Sequence, residues 1–200
     1  MYCITAACGC NVGKVRRSNE DNFYFDGHFL PKENSGLENI NYYKGALDQP
    51  IFFGVFDGMG GEANGEEAAY LAAKMMWKQV RAPGELPKVL LDICTGANQK
   101  ICQAAREHGI GIMGSTAVLL GLEGKVAYLV NIGDSRAYLY RDGVLIQMSK
   151  DHTDQFIFAP SDMPRRKARL TQYLGIEPED MVIEPYAAQF EIRSGDMLLM

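Results

Sequence analysis

The stretch IFFGVFDGMGGEANGEEAAYLAAK, residues 51–74, limits the possible folds more than any other part of the chain. Ile51–Phe56 is an apolar run suited to a buried strand, and within a few residues the pattern becomes helical over Asn64–Val80. Glu66 and Glu67 fall in the first turn, where the helix dipole favours acids, and Lys74 and Lys78 lie toward the end. Ala68, Ala69, Leu71, Ala72, Met75 and Met76 form a broad stripe of mostly small residues, so this helix is expected to lie close against a sheet. At the turn itself one carboxylate, Asp57, stands among Gly58, Gly60 and Gly61.

A second helix is predicted from Pro87 to His108, with Leu90, Ile93, Cys94, Ala97, Ile101, Ala104 and Ala105 near helical spacing and Gly109 as its C-cap. Gly13–Asn22 reads as a loop leading into a short strand, Phe23–Phe25, and the polar segment Lys32–Gln49 reads as a surface excursion. From Ser115 to Met148 the period changes to short β-branched and aromatic runs. Glu123-Gly124, Gly133-Asp134 and Asp142-Gly143 punctuate them as hairpin signals, so an antiparallel meander covered on both faces is expected. A basic patch, Arg165, Arg166, Lys167 and Arg169, precedes a last apolar run that looks like a strand; its bland reading is a solvated helix face.

Composition narrows the function classes. The 200 residues suit a single domain, and a formal charge of -5 leaves no general basic surface for nucleic acid. No apolar run approaches the roughly 18 to 20 residues of a membrane span, and MYCITAACGC lacks the basic start of a signal peptide, so a cytoplasmic protein without membrane partners is expected. The five cysteines read as free, buried thiols; Cys3, Cys8 and Cys10 lack a fourth ligand at a zinc spacing.

The chemistry centres on acids at strand ends. Asp57 is readable either as a helix cap or as a metal ligand whose glycine neighbours let a backbone carbonyl, such as that of Gly58, reach the same ion. Two more acidic stretches, Arg16–Asn22 and Asn131–Arg136, also stand beside strand ends, so one sheet edge could gather all three. Hard oxygen donors of this kind favour Mg²⁺ or Mn²⁺ over Zn²⁺.

RRSNEDN, VFDGMGG, GSTAVLL and NIGDSRAYLYRDG, in that order and followed by SKDHT, resemble the type 2C metal-dependent protein serine/threonine phosphatases in their bacterial form. LTQYLG and SGDMLL fit the same resemblance, which spans essentially the whole chain. It implies an α/β (α+β) fold of two mainly antiparallel sheets packed as a sandwich and flanked by helices. It also implies two Mn²⁺ or Mg²⁺ ions and a third, weaker one, with phosphorylated proteins, a serine/threonine kinase among them, as partners.

Residue by residue, the resemblance makes Asp57 the ligand bridging two ions, with the Gly58 carbonyl as a further ligand. Glu20 would hold the second ion, Asp21 would support the site, Arg16 would grip the substrate phosphate, and Asp134 belongs with the third ion. Met59 stands where some relatives carry a proton-donating His, and His152 receives no role. The family's remaining metal aspartates, in an SDG-type and a DN motif, are expected beyond Met200, which leaves the metal site of residues 1–200 short of ligands. Two alternatives stand: a phosphatase-like module that binds without turnover, and a cysteine-dependent phosphatase in which Cys10 and Arg16 supply a Cys-x5-Arg loop.

Overall fold

The computed structural model describes residues 3–59, 64–81, 83–154 and 168–200. Gly60 and Gly61 of the glycine turn, and Arg165, Arg166 and Lys167 of the basic patch, lie outside these.

A five-stranded antiparallel sheet forms the centre, in the order β2 (Asp21–Phe25), β4 (Ile51–Asp57), β5 (Ala117–Glu123), β6 (Val126–Ile132) and β9 (Tyr186–Glu191). Helices α1 (Gly65–Gln79) and α2 (Leu86–His108) cover one face. The other is covered by a pair, β1 (Cys3–Cys8) with β3 (Asn41–Ala46), and by a three-stranded sheet, β10 (Met197–Leu199), β7 (Tyr138–Arg141) and β8 (Val144–Gln147). The expected sandwich of antiparallel sheets with helices outside it is therefore present.

Strand alternation explains the layers. Phe52 and Phe56 of β4 join the helix-side core with Ala68, Ala72 and Met76, whereas Ile51 and Phe53 point into the clusters between the sheets. In β5, Ala117 and Leu119 face the helices while Val118, Leu120 and Leu122 face the small sheets. Both faces are buried, as the unbroken apolar run requires. Each fully buried side chain of this size contributes about 1.5–3 kcal/mol. Cys94 and Cys102 are buried core residues of α2, and Gly109 caps that helix in the left-handed conformation (φ 67°), both as expected, whereas Cys3 is exposed and Cys8 and Cys10 are only half-buried.

Two expectations need correction. Lys32–Gln49 is not only an excursion: Asn41–Ala46 forms β3, paired antiparallel with β1 from Cys3↔Ala46 to Cys8↔Asn41. Its pattern of half-exposed residues hides the strand, because only one thin layer covers it. The meander also breaks. β5 pairs with β6 and β7 with β8, but Gly133-Asp134 carries the chain from the central sheet into the small one. A glycine at φ 101° serves such a crossing as readily as it serves a hairpin.

Among the described residues no helix is long and apolar enough to cross a membrane.

Candidate functional site

β2 begins at Asp21, two residues earlier than the sequence suggests, and this shift builds the site. It places Asp21 directly across the ladder from Asp57, at the end of the sheet where β4 and β6 finish and β5 begins. Arg16, Glu20, Asp21, Asp57 and Gly58 line one cleft of about 240 Å³ there. Asp134 follows the end of β6 at the same end of the sheet, with β5 between it and Asp57. The strand-end acids of three separate stretches thus meet on one sheet edge.

Electrostatics tie them together. Although Asp57 reaches solvent, its carboxyl is raised from the ordinary aspartate range to about 6. Lost hydration is the largest cause, followed by the charge and hydrogen bond of Asp21 and then by the charges of Asp134 and Glu20. All four groups are hard oxygen donors crowded by like charge, and this donor set suits a divalent cation of the Mg²⁺ or Mn²⁺ type. Among the described residues no three His, Cys, Asp or Glu side chains already converge at metal-holding distances. Arg16 is exposed at the cleft, with no ion pair among the described residues.

The backbone around Asp57 explains the glycine. A Cβ added to Gly58 would stand 2.3 Å from the carbonyl oxygen of Gly65 and 2.5 Å from that of Glu20. Gly58 is pinched between the start of α1 and the residue preceding β2, and its N–H donates to the Glu20 carbonyl at 3.1 Å. The glycine is thus required by the close approach of three backbone segments. Asn64, the residue before α1, makes no side-chain cap, and the Asp57 N–H donates to Thr116 Oγ1 at 3.2 Å.

Several positioning residues were assigned no role from sequence. Thr116 Oγ1 also bonds Ser135 Oγ at 2.6 Å, so one buried hydroxyl joins the end of β4 to the turn bearing Asp134. A Cβ on Gly133 would meet Thr116 Cγ2 at 2.6 Å, which keeps that turn tight on β5. The Gly133 N–H donates to His152 Nδ1 at 3.2 Å, and the His152 N–H donates to the Gly133 carbonyl at 2.9 Å, giving His152 a structural part. Ser115 Oγ donates to the Asp57 carbonyl at 3.1 Å. Ser115 and Leu174 exchange backbone bonds of 3.0 and 2.8 Å, while the buried Asn98 of α2 holds Gly175 and Ile176. GSTAVLL, KDHT and LTQYLG thereby form a frame behind the acids.

On the opposite flank, Asn19 is buried and donates to Asn34 Oδ1 at 2.7 Å and to Cys10 Sγ at 3.1 Å, while its Oδ1 accepts from the Asp21 N–H at 3.3 Å. The cysteine-nucleophile alternative does not survive this geometry. The segment after Cys10 runs through turns into a strand, with no helix to offer amides to a phosphate. Burial pushes the Cys10 thiol above its usual range despite the Asn19 hydrogen bond, the reverse of an activated thiol.

Comparison with known proteins gives a consistent answer. Residues 10–155 match the model of the protein phosphatase 2C family. The serine/threonine protein phosphatase PstP of Mycobacterium tuberculosis is 30% identical over 184 residues, covering 86% of this chain and 35% of its own length. The chain thus spans about a third of the length of that curated relative. The solved structure of PppA, described as a key regulatory component of T6SS in Pseudomonas aeruginosa, superposes with a TM-score of 0.71 at 29% identity. That match covers 99% of this chain and 75% of PppA. The catalytic domain of PstP in complex with two manganese ions superposes with a TM-score of 0.69 at 26% identity, covering 98% of this chain and 75% of that one.

Proposed function

The chain belongs to the protein phosphatase 2C family, and on that footing we propose that it is a metal-dependent phosphatase of phosphoserine and phosphothreonine in proteins. The observation that carries the reading is the Asp21–Asp57 cross-strand pair, with Glu20 and Asp134 close enough to raise Asp57 further. Uncompensated acids at a cleft mouth are expensive unless a cation answers them. The two manganese ions in the PstP catalytic domain support the same choice of ion here.

In this reading Asp57 would hold the ions with the Gly58 carbonyl as a further ligand, Glu20 would hold the second ion with Asp21 in support, and Asp134 would take part in a third. Bound Mn²⁺ or Mg²⁺ would lower the proton affinity of water and offset the charge of the phosphoryl oxygens. Arg16 offers a permanently charged, bidentate fork for the substrate phosphate. Thr116, Ser135 and His152 keep the turn of Asp134 against the end of β4, so that the backbone bearing the acids is held at one end of the sheet. The proposed substrates are phosphorylated proteins, a serine/threonine kinase among them.

The test is Mn²⁺-dependent release of phosphate from p-nitrophenyl phosphate by a full-length version that carries the SDG-type and DN metal aspartates, together with Mn²⁺ binding by calorimetry. Asp57→Asn is expected to weaken Mn²⁺ binding at least tenfold and to lose turnover. Equal binding and turnover by the variant, or turnover undiminished in EDTA, refutes the mechanism. Phosphopeptide binding without release would return the chain to the class of binding modules.

A further inference from the structure

A second cavity, of about 330 Å³, adjoins the polar cleft and is lined by Gly9, Cys10, Asn11, Leu37, Glu38 and Ile40 among others. The two share Asn11, and the contact of Asn19 Nδ2 with Cys10 Sγ stands between them. The cavity is built on fixed backbone: the Leu37 N–H donates to the Cys10 carbonyl at 2.8 Å, and Asn11 bridges Gly36. A Cβ on Gly36 would stand 2.3 Å from the Cys10 carbonyl oxygen, so the two walls touch directly.

Cys10 and Leu37 belong to the apolar cluster beneath β1 and β3, whereas Ile40 is 55% exposed. An isoleucine left half in water at the rim of a cavity offers apolar surface to an occupant. The volume lies at the low end for ligand sites, roughly 300–1,000 Å³, and suits one or two side chains better than a cofactor. The occupant follows from continuity. A polypeptide whose phosphate lies beside Arg16 and Asp57 must run its neighbouring residues over the adjoining surface, and Asn11 belongs to both depressions.

We infer that this cavity is a subsite for an apolar side chain flanking the phosphorylated serine or threonine of a protein substrate, with Ile40 as the residue that selects it. The inference rests on the phosphatase reading for the location of the phosphate.

The test uses two fluorescent phosphothreonine peptides, identical except that the flanking positions on both sides carry leucine in one and glycine in the other. Binding to the full chain is read by fluorescence polarisation in Mn²⁺, with the phosphate ester of each peptide replaced by its non-hydrolysable phosphonate, so no turnover intervenes. The leucine peptide is expected to bind about fivefold tighter or more, as partial burial of one leucine allows. Ile40→Asp should bring the ratio to about one while leaving p-nitrophenyl phosphate turnover unchanged, because that small ester does not reach the second cavity. Ile40→Val should keep most of the preference.

Equal binding of the two peptides overturns the assignment, as does an unaltered ratio in Ile40→Asp or loss of the preference in both variants. Metal-dependent turnover of p-nitrophenyl phosphate by the wild type is scored separately. Its absence, when the family's SDG-type and DN metal aspartates are also present, counts against the phosphatase reading, and the peptide ratio alone decides the subsite.

Discussion

Replacing Thr116 by valine tests whether one hydroxyl holds the site together. Thr116 is 2% exposed, and its Oγ1 accepts from the Asp57 N–H and bonds Ser135 Oγ. Losing two hydrogen bonds at about 1 kcal/mol each, with up to about 1 kcal/mol more for a stranded polar group, gives about 2–3 kcal/mol. With a urea slope of about 2 kcal/mol/M, the unfolding midpoint should fall by about 1 M or a little more. Thr116→Ser keeps the hydroxyl and loses one methyl, so it should cost about 1 kcal/mol. The order is diagnostic: if packing rather than hydrogen bonding fixes this point, serine will be the worse replacement. Valine should also weaken Mn²⁺ binding, because Ser135 and the turn of Asp134 lose their tie to β5. A Thr116→Val protein with wild-type stability and an unchanged Mn²⁺ isotherm would refute the reasoning.

Other expectations follow from single contacts. Gly58→Ala should cost about 3 kcal/mol, since its Cβ meets backbone on both sides, and thermal melting should show the loss. Asp196→Ala should lower the urea unfolding midpoint: its carboxylate takes both Nε and Nη2 of Arg141 at 2.8 and 2.6 Å and the Arg193 N–H at 2.7 Å, which fixes the turn into β10. The Asp151 carboxyl is held below its ordinary range by the Arg136 guanidinium. A lowered folded pKa means fewer protons bound in the native state, so its stabilisation is present above the unfolded carboxylate pKa of about 3.9 and is lost as pH falls through the folded value. Both side chains are partly exposed, so the amount is at most about 1 kcal/mol; the stability gap between wild type and Asp151→Asn should close below about pH 4.

The legible parts of this molecule are those whose signals are local. Ile51–Phe56 and the small-residue stripe that follows reveal a strand passing into a close-packed helix, and Gly109 ends α2 where its residue type suggests. β3 is hidden because Asn41–Ala46 is half solvated and owes its existence to β1, some 40 residues away. The change of sheet at Gly133 is hidden because a positive φ looks the same in a hairpin and in a crossing. Glu20, Asp21, Asp57 and Asp134 are recognisable because their flanking residues carry the pattern. The roles of Thr116, Ser135, His152 and Asn98 are not, since each acts across at least 19 residues of sequence through one or two hydrogen bonds.

The pairing of Asp21 with Asp57 has a further cost. Like charges placed directly opposite on a ladder weaken the sheet at that rung, so the strand ends that gather the acids are its least self-sufficient part. Selection for robustness alone would replace either acid with asparagine and obtain a firmer sheet end. Two carboxylates kept face to face therefore mark a chain whose sturdiness in the cell would vary with the divalent ions around it, rising as the rung is filled.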